Sequence, residues 1–496
     1  MLLLALLAAA MLFSIIQPLL CYWKDSKNLK QFPSPSYAGF SSLWRIAHNL
    51  RGRHYLAIHE AHKELGTHVR IAPNHVSISD PAAMNDIYGH GANFLKDAWY
   101  DGGAGEHRSM GDTRVKAEHQ QKRKMFAHVF AQKTIATLEH VVTDKVALLV
   151  SEIDRKVVSK QTINIRRYLN YLTIDLISTL LYGQSLECLE RGDDMVDAQG
   201  RDGRMYKAPV IKSLHDSMVI NTALGFEASL LPYTKKLLAW HPNKRAGWHF
   251  DDIIYYNTMK RLDNPDAPES DFFQKLMVNS KGEKLNLPLG EVLSECSVLM
   301  NAGSDTTTAA LSGTIFLLFK HPRVLAKLRE ELDPVMVDGD VPLYDAVANL
   351  PYLRACIEES LRVRPASTMG LPRVVPAGGR TIAGKFINEG VTVSVPTYTL
   401  LRDEVAFDNA TEFIPDRWID GDKDRMSKAH LPFSIGPRAC IGRNIAYFEQ
   451  IIVIATLVHA FDFDFSHKDF ELETIERFNA NPSELVVSPR RRTSRV

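Results

Sequence analysis

The sequence predicts a mainly α-helical protein with small β-sheets, built as a single large domain behind an N-terminal transmembrane helix. Three observations predict it. Apolar residues recur at helical spacing through most of the chain. Strand-type residues come only in short stretches punctuated by Gly and Pro. The run from Met1 to Trp23 carries no charged side chain.

That run is long enough to cross a bilayer core at about 1.5 Å per residue. Tyr22 and Trp23 suit the interface, and Lys24, Lys27 and Lys30 follow at once. Positive charge on this flank keeps the rest of the chain on the cytoplasmic side. A retained anchor is favoured over a cleaved secretory signal, because a signal carries its charge before the apolar run. Residues 24–40, with Pro33 and Pro35, read as a stiff linker, and residues 41–496 as one domain.

Within that domain, residues 56–66 read as a helix ended by Gly66, and residues 68–80 as a β-hairpin turning at Pro73-Asn74. Asp80 and Pro81 open a further helix. Helical periodicity returns at 115–130, 134–157 and 165–182. Later helices begin near Pro322, end at Pro365, and begin after Gly442; the segment 378–400 between the last two is strand-like. Residues 195–270 are helical in flavour but hold no usable motif.

A net charge of +1 over 496 residues gives no electrostatic case for nucleic acid. The five cysteines, Cys21, Cys188, Cys296, Cys356 and Cys440, are scattered and odd in number, which excludes a disulfide scaffold and a C-x-x-C metal site.

One cysteine stands out. Residues 432–442, PFSIGPRACIG, fit F-x-x-G-x-R-x-C-x-G through Phe433, Gly436, Arg438, Cys440 and Gly442. Chance would produce those fixed positions in roughly one chain in ten thousand. The glycines permit a tight loop, and Cys440 falls at a loop-to-helix junction. Free N–H groups at a helix start stabilise a thiolate, which can then ligate iron.

This motif resembles that of the cytochrome P450 family of haem-thiolate monooxygenases, and the resemblance covers nearly the whole chain beyond the anchor. It implies the cytochrome P450 fold and a haem b whose iron is ligated by Cys440, with the thiolate's electron push favouring O–O cleavage. It also implies that Phe433 packs beside the sulfur and that Arg438 reaches a haem propionate. Arg123 keeps the spacing of a second propionate ligand, with His119 where the family usually has Trp; Arg373 would be a third. Surface cations are the competing reading for His119, Arg123 and Arg373.

Glu359 and Arg362 form E-x-x-R on one helix face, and the resemblance joins them to Arg417 in a buried ionic triad. The stretch NAGSDTTTAAL, residues 301–311, places poor helix formers inside an apolar run. It resembles the family's oxygen-side helix. Ala302 and Gly303 would leave room for dioxygen, Thr306 would hold it by a hydrogen bond, and Asp305 would relay protons.

The resemblance further implies a pocket walled by Trp99, Tyr100, Met300, Thr368, Met369, Leu371 and Phe478, although core packing explains any one of these equally well. The glycines of residues 93–114 suggest a mobile loop over this pocket. Cosubstrates would be O2 and NADPH-derived electrons from NADPH–cytochrome P450 reductase, with cytochrome b5 as a second donor. Lys116, Lys122, Lys124 and Lys133 are candidates for docking the reductase, against the reading of a solvated charged face. The lipid bilayer and a small lipophilic substrate complete the expected partners, at the endoplasmic reticulum membrane with the domain facing the cytoplasm. The loop text is similar to fungal benzoate-hydroxylase-like members used in secondary metabolism. A peroxide-isomerising or dehydrating enzyme on the same fold, or a non-enzymatic haem protein, are the rival readings; the Asp305–Thr306 pair argues against the first.

Overall fold

A computed structural model describes residues 16, 19–264, 271–278, 282–337 and 339–492. Most of the expected anchor therefore lies outside the described residues. Among the described residues, no helix is long and apolar enough to cross a membrane.

Eight helices position the site: α1 (His54–Leu65), α2 (Lys116–Phe126), α3 (Ile165–Tyr182), α4 (Val210–Gly225), α5 (Pro242–Leu262), α6 (Leu289–Lys320), α7 (Pro351–Val363) and α8 (Arg443–Ala460). The expected helices at 56–66, 165–182, 353–365 and after Gly442 fall on α1, α3, α7 and α8. Gly66 ends α1 with φ 95° and Gly183 ends α3 with φ 70°, both in the left-handed region where a Cβ is penalised. Pro242 and Pro351 open α5 and α7, where the missing N–H costs nothing.

The centre of the core is α6. It packs against α3, α5, α7 and α8. Ala309 to Leu318 is buried on every side, as expected of a helix that is apolar all round.

The largest sheet has five strands: β1 (His68–Ala72), β2 (His75–Ile78), β3 (Leu95–Lys96), β4 (Arg373–Val374) and β5 (Thr392–Ser394), in the order β1-β2-β5-β4-β3. The β1–β2 hairpin is the one expected from residues 68–80. In the β3–β4 pair, Lys96 lies directly opposite Arg373. A separate hairpin, Thr474–Arg477 with Asn479–Pro482, turns at Phe478 and lies against α6.

Two expectations change here. Residues 24–40 are not a free spacer: Leu29, Phe32 and Ala38 are buried, and Arg70 N donates to the Pro33 carbonyl at 2.8 Å. The body therefore begins before residue 41, because these apolar side chains cover the sheet. Residues 93–114 are not an open loop. They contain β3 and a 3₁₀ turn, Ala98–Gly102, which buries Trp99 and Tyr100. The motifless stretch 195–270 holds α4, α5 and a Met195–Gln199/Met205–Pro209 hairpin.

Candidate active site

The Cys440 loop leads directly into α8. Gly436 has φ 70°, and a Cβ there would collide with the Tyr88 carbonyl oxygen, so only glycine fits. Gly442 is different. Its φ is −81°, and a Cβ would meet nothing closer than 3.7 Å, so the backbone does not demand glycine there. Cys440 N donates to the Phe433 carbonyl at 2.9 Å, closing the loop, and Arg123 Nη1 donates to the Ala439 carbonyl at 2.7 Å. The Phe433 ring lies 5.0 Å from that of Tyr447.

The Cys440 side chain opens on to accessible space, while protein atoms crowd the thiol on its other sides. That crowding pushes its pKa up; the N–H groups of Gly442 and Arg443 and the charges of Arg123 and Arg443 pull it down. The helix start thus faces the sulfur with donors and positive charge, as the motif suggests.

Next to this loop is a cluster of like charges. Arg123, Arg373, Arg438 and Lys96 all act on His119, and burial together with these cations pushes its imidazole down to about 3. His119 is therefore neutral at pH 7 and brings hydrogen-bonding capacity, not charge, to the cluster. Lys96 is buried, and burial followed by the charges of Arg373 and Arg438 holds its pKa well down. Arg438 Nη1 donates to the Thr113 carbonyl at 2.9 Å, and Arg373 Nη1 to the Tyr100 hydroxyl at 3.0 Å. Among the described residues, no carboxylate forms an ion pair with these four cations. Like charges opposed across a ladder, as at Lys96 and Arg373, are destabilising unless an anion lies between them.

On α6, Ala302 is exposed although Met300, Ser304 and Asp305 around it are buried. The Thr306 hydroxyl donates back to the Ala302 carbonyl at 2.8 Å. Gly303 corrects an expectation. A Cβ there would stand 2.7 Å from Ile177 Cδ1, so its missing side chain admits α3, not dioxygen. Asp305 and Thr306 also diverge. The Asp305 carboxylate is buried and lies 2.6 Å from His215 Nε2; Asn479 and Asn481 donate to it at 3.2 and 3.4 Å. Burial pushes Asp305 up, but His215, Asn479 and the charge of Arg166 outweigh it and bring the pKa to about 2.

On α7, Glu359 and Arg362 are wholly buried. Arg362 donates to both Glu359 oxygens at 2.8 and 2.9 Å, and Arg417 Nε adds a third charged donor at 3.0 Å. The structure thus brings the expected triad together.

A protein-family model described as cytochrome P450 matches residues 33–490. The chain belongs to the cytochrome P450 family. Among curated relatives it is 33% identical to the benzoate 4-monooxygenase of Aspergillus niger, covering 96% of each chain. It is 29% identical to tryprostatin B 6-hydroxylase of Aspergillus fumigatus, over 93% of this chain and 80% of that protein. The haem domain of cytochrome P450DA superposes with a TM-score of 0.75 at 19% identity, covering 93% of this chain and 98% of that one.

The family implies haem held by a cysteine thiolate, and the residues of this cytochrome P450 fit it. Cys440 offers its sulfur to accessible space, and the cations beside it, Lys96 and Arg373 buried and Arg123 and Arg438 half-buried, have the chemistry to bind two propionates.

The pocket expectations divide. Trp99, Tyr100, Met369 and Phe478 form one aromatic cluster, joined by Phe226; the Trp99 and Phe478 rings stack at 5.6 Å. Phe478 has φ 80°, a strained value for a bulky residue. Three expected wall residues point elsewhere. Met300 is packed in the main core, Thr368 donates to the buried Glu476 at 3.1 Å, and Leu371 packs beside the sheet cluster. Lys122 is no docking residue: it is buried and paired with Glu291 at 2.6 Å and Glu295 at 2.9 Å. Lys116, Lys124 and Lys133 are exposed.

Lys96, Tyr100 as the partner of Arg373, His215 and Glu449 were missed by sequence reasoning as site groups. Glu449 of α8 is buried with Thr307 as its hydrogen-bond partner, and burial raises its pKa to about 8. An isolated carboxylate within an otherwise apolar helix was the signal available for it.

Proposed function

We propose that this monooxygenase hydroxylates a small, lipophilic, aromatic or polyketide-derived molecule in fungal-type secondary metabolism. Electrons come from NADPH through a cytochrome P450 reductase, with cytochrome b5 as an auxiliary donor. The observation that carries the proposal is the accessible Cys440 sulfur at the start of α8, beside Arg123, Arg373, Arg438 and Lys96, none of which has a carboxylate partner among the described residues. Haem b bound through Cys440 supplies the redox and oxygen-activating chemistry. Arg123, Arg373, Arg438 and Lys96 would neutralise its propionates, His119 offers a hydrogen bond there, and Phe433 shields the sulfur. Ala302 leaves space beside α6, the Thr306 hydroxyl borders that space, and Asp305 is the charged carboxylate that would relay protons toward it. The stacked rings of Trp99 and Phe478, with Tyr100 and Met369, favour a planar ring as the substrate's core. The relation to benzoate 4-monooxygenase supports the same choice.

The protein works at the endoplasmic reticulum membrane, with its domain facing the cytoplasm. Exposed Tyr233, Leu237 and Trp240 beside Lys235 and Lys236 suit contact with a bilayer. Lys116, Lys124 and Lys133 remain as exposed charges for the reductase.

The test is the carbon monoxide difference spectrum of the reduced protein, with spin-state titration by benzoate and related aromatic acids. A thiolate-type band that is lost in Cys440→Ser supports the reading. Turnover retained by Cys440→Ser would overturn it.

A further inference from the structure

Asp305 is held from outside its own helix. His215 reaches it from α4, and Asn479 and Asn481 reach it from the hairpin that turns at Phe478. His215 and Asp305 are 5% and 4% exposed. A buried carboxylate with three donors cannot turn toward Thr306 unless the donors move too, because rotation alone would give up its hydrogen bonds and leave only the charge of Arg166 to offset it.

Both sets of donors are continuous with the pocket wall. α4 ends at Gly225, where a Cβ would collide with the Trp99 carbonyl oxygen. Trp99 Nε1 donates to the Thr222 carbonyl at 3.1 Å, and Phe226 stacks on Trp99 at 6.2 Å. His215 and Phe226 are separated by about 16 Å of helix. On the hairpin, Phe478 lies between Asn479 and the preceding strand and stacks on the same Trp99. Trp99 therefore touches both elements that hold Asp305.

We infer that His215 is a positioning residue for Asp305, and that Trp99 couples the substrate pocket to it through α4 and the Phe478 hairpin. A ligand that displaces Trp99 shifts both supports and frees the Asp305 carboxylate toward Thr306. The inference rests on the proposed role of α6 for its meaning, but its test does not.

The test is amide hydrogen exchange, followed by mass spectrometry, on the full-length haem-loaded protein. Wild type, Trp99→Ala, His215→Leu and His215→Gln are compared, with α3 as internal reference. Trp99→Ala is expected to raise exchange at least threefold at residues 212–218 and 479–482, beyond its own neighbourhood. His215→Leu is expected to raise it at 304–307 and 479–482, and His215→Gln, which keeps an N–H donor, to recover most of the protection. Changes confined to residues 99–103 and 221–226 in Trp99→Ala, or a glutamine variant no better than leucine, would overturn the inference. If His215→Leu does not fold, Asp305→Asn replaces it, with the same expectation at 479–482. The carbon monoxide spectrum of each sample separates the two claims. A thiolate band without the spread of exchange defeats the coupling alone, and the spread without the band defeats the functional reading alone.

Discussion

Glu359 and Asp305 are both buried carboxylates that the protein keeps charged, and they are held in opposite ways. Glu359 accepts from Arg362 twice, from Arg417 Nε, from Ile414 N at 2.9 Å and from Trp418 Nε1 at 2.9 Å. Arg362 in turn donates to the carbonyls of Leu401, Ala410 and Glu412 at 2.9, 2.5 and 2.7 Å. Every donor is short, and the pair lies wholly inside the core. Asp305 has a close contact to His215 and two longer ones to asparagines, and its supports continue into the pocket wall. The difference teaches that burial alone does not make a charge structural. A carboxylate with redundant short donors is locked, whereas one whose donors sit on pocket elements can be released.

The sharpest way to break this contrast is Arg362→Leu. Removing one partner of a buried pair costs about 3–5 kcal/mol, a large share of a typical folding free energy of about 5–15 kcal/mol. A large loss of folded, haem-binding protein is expected, as read by expression and by the carbon monoxide spectrum. Thr306→Ala tests the other side. It should fold and bind haem normally, continue to oxidise NADPH, and divert most of the electrons to hydrogen peroxide; an unchanged ratio of product to NADPH would remove Thr306 from its proposed role.

Glu449 provides a third case, a buried carboxyl whose pKa is raised to about 8. The folded state then holds a proton that the unfolded chain has lost above its ordinary carboxyl range. Stability from this group is therefore present at low pH and declines as pH rises toward about 8. Glu359 and Asp305, with depressed values, have the opposite sign: their contribution is present above the ordinary carboxyl range and is lost as pH falls through the folded values. Glu449→Gln should gain about 4 kcal/mol at pH 8 and under about 1 kcal/mol at pH 5, measured by thermal unfolding at both pH values. The smallest effect is expected from Trp418→Phe, which removes one of the donors to Glu359. Because the others remain, the loss should be about 1 kcal/mol by denaturant unfolding; a collapse comparable to Arg362→Leu would show that the donors are not redundant.

Local spacing made much of this site legible. Phe433 to Gly442, Glu359 with Arg362, and Ala302 to Thr307 are each contained in one loop or a few helical turns, so their pattern survives in one dimension. What was illegible depends on partners far apart in the chain. The Trp418 contact to Glu359, the His215 contact to Asp305 and the Lys96–Arg373 register all join segments with no spacing rule between them. Gly303 was misread because a small residue signals close approach without saying of what; the answer, Ile177, lies on another helix. Lys122 was misread because helical charge spacing does not reveal that Glu291 and Glu295 bury it.

The geometry of Arg362 also constrains how the polypeptide can be made. Its carbonyl acceptors lie as far along as Glu412, and the second cation on Glu359 comes from Arg417. When α7 leaves the ribosome, its charged pair has no way yet to satisfy itself inside a core. The nascent chain must therefore wait for more than fifty further residues to emerge before this half of the molecule can close. A ribosome stalled or truncated short of Arg417 would leave an open, chaperone-dependent intermediate in place of a shorter folded enzyme.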